Sequence, residues 1–144
     1  MRIMVNTTLA AILLLVAWNV LNPIGPRRTP GARIAAAQIQ ISSLATALDA
    51  FKKDTGHFPP SITGLQMLVV KPEGKTGWNG PYFKPNFNEG LPLDPDPWSH
   101  AYIYVCPGRN NINGYDLFSV GPDGKAGTKD DITNWGKPEL TSRR

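Results

Sequence analysis

The sequence predicts an α+β fold in which one long N-terminal helix packs on a small antiparallel sheet. Three patterns indicate it. A mostly apolar span without charged residues lies near the N-terminus, an apolar stripe at helical spacing follows it, and short apolar runs separated by turn signals lie towards the C-terminus. The length of 144 residues fits one modest domain with an appendage.

The apolar span covers residues 3–21 and contains no charged side chain. Its length suits a helix that crosses a hydrocarbon core of about 30 Å, and Trp18 lies near one end, where an amphipathic ring suits the membrane interface. The residues after Leu15 make a poor signal-peptide cleavage site, and a soluble core helix is rarely apolar on every face. We therefore expect a transmembrane anchor over residues 1–22, with a signal peptide and a core helix as the alternatives.

A proline-rich breaker over residues 23–31 separates the anchor from a globular domain over residues 32–144. Thr29 is a candidate helix cap, with Pro30 in the first helical position. A helix is predicted from residue 32 to residue 54, and Gly56 is its expected stop. The apolar stripe of this helix consists of Ile34, Ala37, Ile41, Leu44, Leu48 and Phe51.

The second half of the domain is rich in glycine and proline. Ser61 is a candidate cap for a short second helix that runs through Val69. Residues 71–98 are rich in turn residues, and interspersed aromatic side chains are expected to pin them to the core. Two strands are predicted over residues 101–105 and 115–119, joined as an antiparallel hairpin by Pro-Gly and Asn-Gly turn signals.

An acidic loop over residues 119–135 contains the most informative chemistry. Asp123, Asp130 and Asp131 lie close together in sequence, with Gly124 and Gly127 between them. Calcium takes six to eight oxygen ligands from carboxylates, carbonyls and water, and a glycine-rich loop can turn its carbonyls towards such an ion. The spacing is not that of an EF-hand loop. The residues alone therefore fit a solvated turn as well as they fit a metal site.

Several function classes find no support in the sequence. The net charge of +4 comes without the dense basic stripe and interleaved aromatics of a nucleic-acid-binding surface. The single cysteine, Cys106, continues an apolar run and is expected to be a small buried hydrophobic residue. His57 and His100 lack neighbours at zinc-ligand spacing. No catalytic constellation is visible, so we do not expect an enzyme.

The order of these features resembles the major pseudopilin, the protein G type, of type II secretion systems, a member of the pilin-like superfamily. The similarity covers about residues 35–135. It is carried by the segments LATALDAFKKDTGHFPP (44–60), GLQML (64–68), WNGPYFK (78–84), YDLFSVGPDG (115–124) and DDITNW (130–135).

The resemblance implies a pilin-like fold with a calcium-binding C-terminal loop. The side-chain ligands that it implies are Asp123, Asp130 and Asp131, and the backbone carbonyls of Val120 and Lys125 are the further ligands. In that family the ion locks the loop and supports packing between subunits.

The resemblance also implies a structural subunit that assembles with itself and with other pseudopilins into a short fibre, supported by an assembly platform in the bacterial inner membrane. The implied location is a single pass through that membrane with the C-terminal domain in the periplasm. Arg27, Arg28 and Arg33 would place the domain in the cytoplasm by the positive-inside rule. The alternative function is an anchored, monomeric calcium-binding module, and a distant third is an enzyme that uses Cys106 with His57 or His100.

The N-terminal span departs from the family's pattern. Counting back from Phe51, Pro23 falls where the family has a proline in its long helix, and Asn6 falls where the family has an acidic residue. The family's basic leader and its Gly–Phe-Thr-Leu-Leu-Glu start are not visible in the sequence. A neutral Asn6 can form a hydrogen bond but cannot form the family's charge pair.

Overall fold

The computed structural model describes residues 29–85 and 93–136. The predicted anchor over residues 1–22 and the breaker up to residue 28 lie outside the described residues. The chain divides into two compact units, residues 1–33 and 34–144. Apart from the first turn of the long helix, the elements below lie in the second unit.

Helix α1, Pro30–Thr55, begins two residues before the predicted start. Proline suits the first turn because the N–H that it lacks would have no partner there. The Thr29 hydroxyl accepts a hydrogen bond from the Ala32 N–H at 3.2 Å, which confirms the predicted cap. Gly56 ends the helix as predicted, with a φ of 85°, and its N–H donates to the carbonyl of Lys52 at 2.7 Å.

The apolar stripe of α1 faces the core. Its buried members are Ala37, Ile41, Leu44, Ala47, Leu48 and Phe51. Ile34 was predicted to belong to the stripe, but it is 37% exposed. The buried face therefore starts one turn later than the sequence pattern indicated.

Helix α1 is the one described helix that is long and apolar enough to cross a membrane, judged by length and composition only. It is not the span that the sequence predicted, which lies further towards the N-terminus. The buried residues of α1 belong to the hydrophobic core of the domain. Packing against that core accounts for only part of its apolar composition, since Ile39 on the other face is 67% exposed.

The predicted second helix is a single short 3₁₀ helix, Gly64–Leu68. Ser61 does not cap it. The Ser61 hydroxyl instead donates to the carbonyl of Cys106 at 3.0 Å and accepts from the N–H of Cys106 at 2.7 Å. Ser61 thus joins this helical segment to the end of the first strand, a contact that the local sequence did not reveal.

The sheet contains three described strands in the order β1-β2-β3, namely Ile103–Val105, Asp116–Ser119 and Ile132–Thr133. Both pairings are antiparallel, with Ile103 opposite Phe118 and Ser119 opposite Ile132. The first two strands confirm the predicted hairpin, although each is shorter than predicted. β3 was not predicted, because two residues carry no alternating pattern.

The core lies between α1 and one face of the sheet. Tyr115, Leu117 and Ile132 from the sheet join the buried face of the helix in one cluster. Aromatic residues pin the turn-rich stretch to it as predicted: the Trp78 Nε1–H donates to the Met67 carbonyl at 2.8 Å, and the Tyr82 ring packs edge-on against Phe51 at 5.6 Å between centroids. The predicted helix-on-sheet α+β architecture is confirmed.

Candidate metal centre

The acidic loop connects β2 to β3, and the pairing of these two strands fixes its ends. Ser119 lies directly opposite Ile132 in the register. Antiparallel partners have Cα atoms about 5 Å apart. Val120 and Asp131, the next residues on either side, are therefore brought close together although eleven positions separate them in sequence. Both are buried, with 6% and 9% of their surface exposed.

Each of the three predicted carboxylates accepts a hydrogen bond from a backbone amide of the loop. Asp123 Oδ1 accepts from the N–H of Lys125 at 2.9 Å, Asp130 Oδ2 from the N–H of Asp123 at 3.1 Å, and Asp131 Oδ2 from the N–H of Gly127 at 2.8 Å. Aspartate commonly binds nearby backbone amides in turns. These bonds set the loop's shape and use one oxygen of each carboxylate.

The second carboxylate oxygen of Asp131, Oδ1, gives the strongest indication that the loop binds a ligand. Asp131 Oδ1 is buried and has no hydrogen-bond partner among the described residues. A buried carboxylate oxygen without a partner is costly, since it loses water and gains nothing. A bound cation would supply the missing interaction, so the donor set of the loop fits a hard divalent ion such as calcium.

Thr128 is a site residue that the sequence analysis missed. Its hydroxyl contacts Asp130 Oδ1 and lies 3.3 Å from the carbonyl oxygen of Lys125. The hydrogen bond from Thr128 lowers the pKa of Asp130 the most, and the N–H of Asp123 lowers it further, against an opposing effect of desolvation. Asp130 is therefore ionised at neutral pH. The hydroxyl places two predicted ligands, Lys125 and Asp130, beside each other.

The peptide after Val120 packs tightly against Asp130. Gly121 has a φ of 64°, which favours glycine. A Cβ on Gly121 would collide with the backbone carbonyl of Asp130 and would lie 3.0 Å from Asp130 Oδ2. Only glycine permits this approach. The Val120 carbonyl, the other predicted backbone ligand, belongs to this same peptide unit.

The side chains are not gathered into a closed ligand cage. Across residues 29–85 and 93–136, no group of three or more His, Cys, Asp or Glu side chains is arranged to hold a metal. Asp123 lies on the exposed part of the loop, whereas Asp131 lies at its buried end. The ligand set of Asp123, Asp130, Asp131 and the two carbonyls stays a prediction.

The other candidate residues lie elsewhere. Cys106 was predicted to be buried, but it is half-buried, and it packs against the edge of the core. Its sulfur lies 3.6 Å from the carbonyl of Gly114. The His57 ring nitrogens contact the carbonyl of Thr55 and the Lys75 ammonium, each within 2.8 Å. No described hydrogen bond joins Cys106 to either histidine.

Comparisons with known proteins identify the family of the chain. The family model for protein G of the type II secretion system matches residues 27–135. The type II secretion system core protein G of Escherichia coli K12 is 44% identical over 96 residues, which cover 67% of this chain and 63% of the relative. The protein of the same name from Pseudomonas aeruginosa is 38% identical over 114 residues, and the match covers 75% of each chain.

A comparison of structures agrees with these sequence matches. The crystal structure of the major pseudopilin from the type 2 secretion system of enterohaemorrhagic Escherichia coli superimposes with a TM-score of 0.56 and 25% sequence identity. The match covers 93% of this chain and 98% of the solved one. The family model covers well over half of the sequence. The chain therefore belongs to the protein G family of the type II secretion system.

Proposed function

We propose that the chain is a structural subunit of a type II secretion pseudopilus, which supports the export of folded proteins across the outer membrane. The observation that carries this proposal is the fold match to a major pseudopilin over 93% of the chain. The family match over residues 27–135 agrees with it. The role is mechanical: the subunit contributes packing surfaces, and it catalyses no reaction.

The exposed face of α1 offers a packing surface of this kind. A groove of about 410 Å³ runs along it, and Ile39 is 67% exposed there. Small side chains allow a second helix to approach closely. The residues that line the groove are Ala35, Gln38, Ile39, Ser42, Ser43 and Thr46. In the proposed fibre this face contacts a neighbouring subunit.

The proposal includes a location and partners. Residues 1–22 would anchor the subunit by a single pass through the inner membrane, because their apolar span has the length of the hydrocarbon core. The domain would then lie in the periplasm, where it would assemble with other copies and other pseudopilins on an inner-membrane platform. No nucleic acid takes part.

Crosslinking of the full chain in bacterial membranes tests the assembly. The unmodified chain should give a ladder of oligomers, and Ile39→Asp should shorten the ladder, because it places a charge in the groove. Ile62→Asp is the matched control, since Ile62 is 94% exposed but lies outside the groove. Both side chains are exposed, so both variants should keep the melting temperature of the parent.

A strictly monomeric parent chain would contradict the fibre role and favour the anchored monomeric module. Equal shortening of the ladder by Ile39→Asp and Ile62→Asp would contradict the assignment of the groove. The two results are separable because the second leaves the ladder of the parent chain intact.

We propose further that the acidic loop binds calcium. Asp123, Asp130 and Asp131 would hold the ion with the carbonyls of Val120 and Lys125. The ion would draw together and neutralise three carboxylates of the loop, and it would supply a partner for the buried Asp131 Oδ1. Its role is structural, because it would clamp the loop between β2 and β3.

Removing two of the ligands should abolish stabilisation by calcium. The variant Asp123→Ala with Asp131→Ala should have a lower melting temperature than the parent and should show no response to calcium or chelator. The parent should gain about 2.7 kcal/mol at a calcium concentration 100-fold above Kd. Differential scanning calorimetry with calcium and with chelator measures both effects.

The matched control is Asp49→Ala with Glu73→Ala, which removes two exposed carboxylates outside the loop. This control should keep the full response to calcium. A parent chain that melts at the same temperature with calcium and with chelator would contradict the calcium site.

A further inference from the structure

A buried aspartate outside the acidic loop is linked to it by hydrogen bonds. Asp96 lies in the turn that precedes β1 and is only 3% exposed. Its Oδ1 accepts from the N–H groups of Trp98 and His100 at 2.9 and 2.8 Å, which holds its own turn. Its Oδ2 accepts from the Ser119 hydroxyl at 2.5 Å, across 23 positions of sequence.

Ser119 connects Asp96 to the acidic loop by a second hydrogen bond. Its side chain is completely buried, and its Oγ accepts from the N–H of Gly121 at 3.1 Å. A hydroxyl has one proton and two lone pairs. The Ser119 proton points to Asp96 Oδ2, which leaves a lone pair to accept from the N–H of Gly121. The hydrogen bonds therefore run in one direction, from Gly121 to Ser119 to Asp96.

The direction of this chain fixes the orientation of a predicted calcium ligand. The N–H of Gly121 and the carbonyl of Val120 belong to one peptide unit. In a trans peptide these two groups point in opposite directions. With the N–H held on Ser119, the Val120 oxygen is turned away from Ser119. The same peptide packs against Asp130, where a Cβ on Gly121 would collide.

A second contact joins the same turn to the loop. The His100 ring packs on Gly124, with its Nε2 3.1 Å from the position that a Cβ on Gly124 would take. Gly124 has a φ of 69°, so its lack of a side chain serves both the backbone conformation and the contact. The turn that holds Asp96 therefore supports the loop at two points, Gly121 and Gly124.

We propose that Asp96 and Ser119 are positioning residues for calcium, which orient the Val120 carbonyl before the ion binds. This inference rests on the proposed calcium site. Neither residue belongs to the proposed ligand set. Groups that orient metal ligands typically change metal affinity by about 10- to 100-fold when they are removed.

Calcium titration by calorimetry tests the proposal, with unfolding in chelator as the second measurement. Ser119→Ala removes the link but leaves the Asp96 turn its two backbone hydrogen bonds, so calcium Kd should rise about 10- to 100-fold. Ser119→Thr keeps the hydroxyl and should restore most of the affinity. Thr63→Ala is the matched control, because the exposed Thr63 hydroxyl lies outside the loop and donates to the carbonyl of Pro60 in its own turn.

Asp96→Asn provides an independent variant in case Ser119→Ala does not fold. The asparagine can accept from Trp98 and His100 through its oxygen, but its NH₂ group faces Ser119 and donates to the hydroxyl. The Ser119 proton then loses the acceptor that fixed its direction, so the hydroxyl is no longer held with a lone pair towards Gly121. Calcium affinity should therefore fall while the turn keeps its bonds.

The outcomes separate the two proposals. If the parent chain binds no calcium, the calcium site fails and the positioning role fails with it. If the parent binds calcium and both Ser119→Ala and Asp96→Asn keep its Kd, only the positioning role fails. A loss of stability in chelator with an unchanged Kd would show that the two residues are purely structural.

Discussion

Replacing Asp116 by alanine should destabilise the domain by about 3–5 kcal/mol, because four amide N–H groups lose their acceptor, and a hydrogen bond contributes about 0.5–1.5 kcal/mol. Asp116 is 3% exposed. Its carboxylate accepts from the N–H groups of Arg109, Asn110 and Asn111 at 2.8 to 2.9 Å, and from the Asn110 side chain at 3.0 Å. This one side chain holds residues 109–111 in the connection between β1 and β2.

The connection wraps closely around the carboxylate. A Cβ on Gly108 would lie 2.6 Å from Asp116 Oδ1 and 2.9 Å from the Asp116 nitrogen. The Gly108 backbone and the Asp116 carboxylate are therefore closely packed, and position 108 has no room for a side chain. Alanine should leave the three backbone amides and the Asn110 side chain without this acceptor.

Urea unfolding of the parent, Asp116→Ala and the control Asp49→Ala measures this effect. Asp49 is an exposed aspartate on α1, and its replacement should change the free energy of unfolding by less than about 0.5 kcal/mol. An Asp116→Ala variant that is as stable as Asp49→Ala would show that the amides find other partners.

The pH dependence of unfolding gives a second measure of the same side chain. Burial opposes ionisation of Asp116, but the amide hydrogen bonds from residues 109–111 outweigh it and hold its pKa below the ordinary value of 3.8. A lowered pKa in the folded state means that the stabilisation is complete above pH 3.8 and is lost as the pH falls through the folded pKa. Asp116→Asn should lack this acidic decline.

The long helix could be predicted from sequence because its determinants are local. The stripe from Ala37 to Phe51 repeats at helical spacing, and Thr29 and Gly56 mark its ends. Local information failed where a side chain has a distant partner. Ser61 looked like a cap, but its hydroxyl binds Cys106, which is 45 positions away.

The same reason explains what was missed in the sheet. β3 has two residues, and the chain continues its pairing through Asn134, whose N–H donates to the Leu117 carbonyl at 2.9 Å. The Asn134 side-chain oxygen accepts from the Leu117 N–H at 2.9 Å. These bonds come from the neighbouring strand, so no pattern within residues 132–134 indicates a strand.

The same contrast between local and distant determinants applies to the candidate metal site. The spacing of Asp123, Asp130 and Asp131 was readable in the sequence. The buried, unpaired Oδ1 of Asp131 depends on how β2 and β3 bring the loop ends together. The link from Ser119 to Asp96 spans 23 positions. Sequence therefore supplied candidate ligands, and the fold supplied the groups that orient them.

The second large effect is expected at Phe51, the largest of the completely buried side chains. Phe51→Ala should lower the free energy of unfolding by about 3–5 kcal/mol, since it leaves a cavity in the core. The ring also packs edge-on against Tyr82 at 5.6 Å, and Tyr82 packs on Trp78 at 5.5 Å. Phe51 thus joins the end of α1 to the turn-rich stretch that follows the 3₁₀ helix.

Urea unfolding with Ile39→Ala as control separates core packing from helix propensity. Both variants place alanine on α1, but Ile39 is 67% exposed and Phe51 is completely buried. Alanine favours helix at either position, so propensity alone would stabilise both variants. A large loss for Phe51→Ala with little change for Ile39→Ala would show that burial against Tyr82 outweighs propensity. Equal effects would contradict the packing of α1 on this aromatic cluster. They would also contradict the proposed fibre contact, because that contact requires the packed helix to hold the groove rigidly on its opposite face.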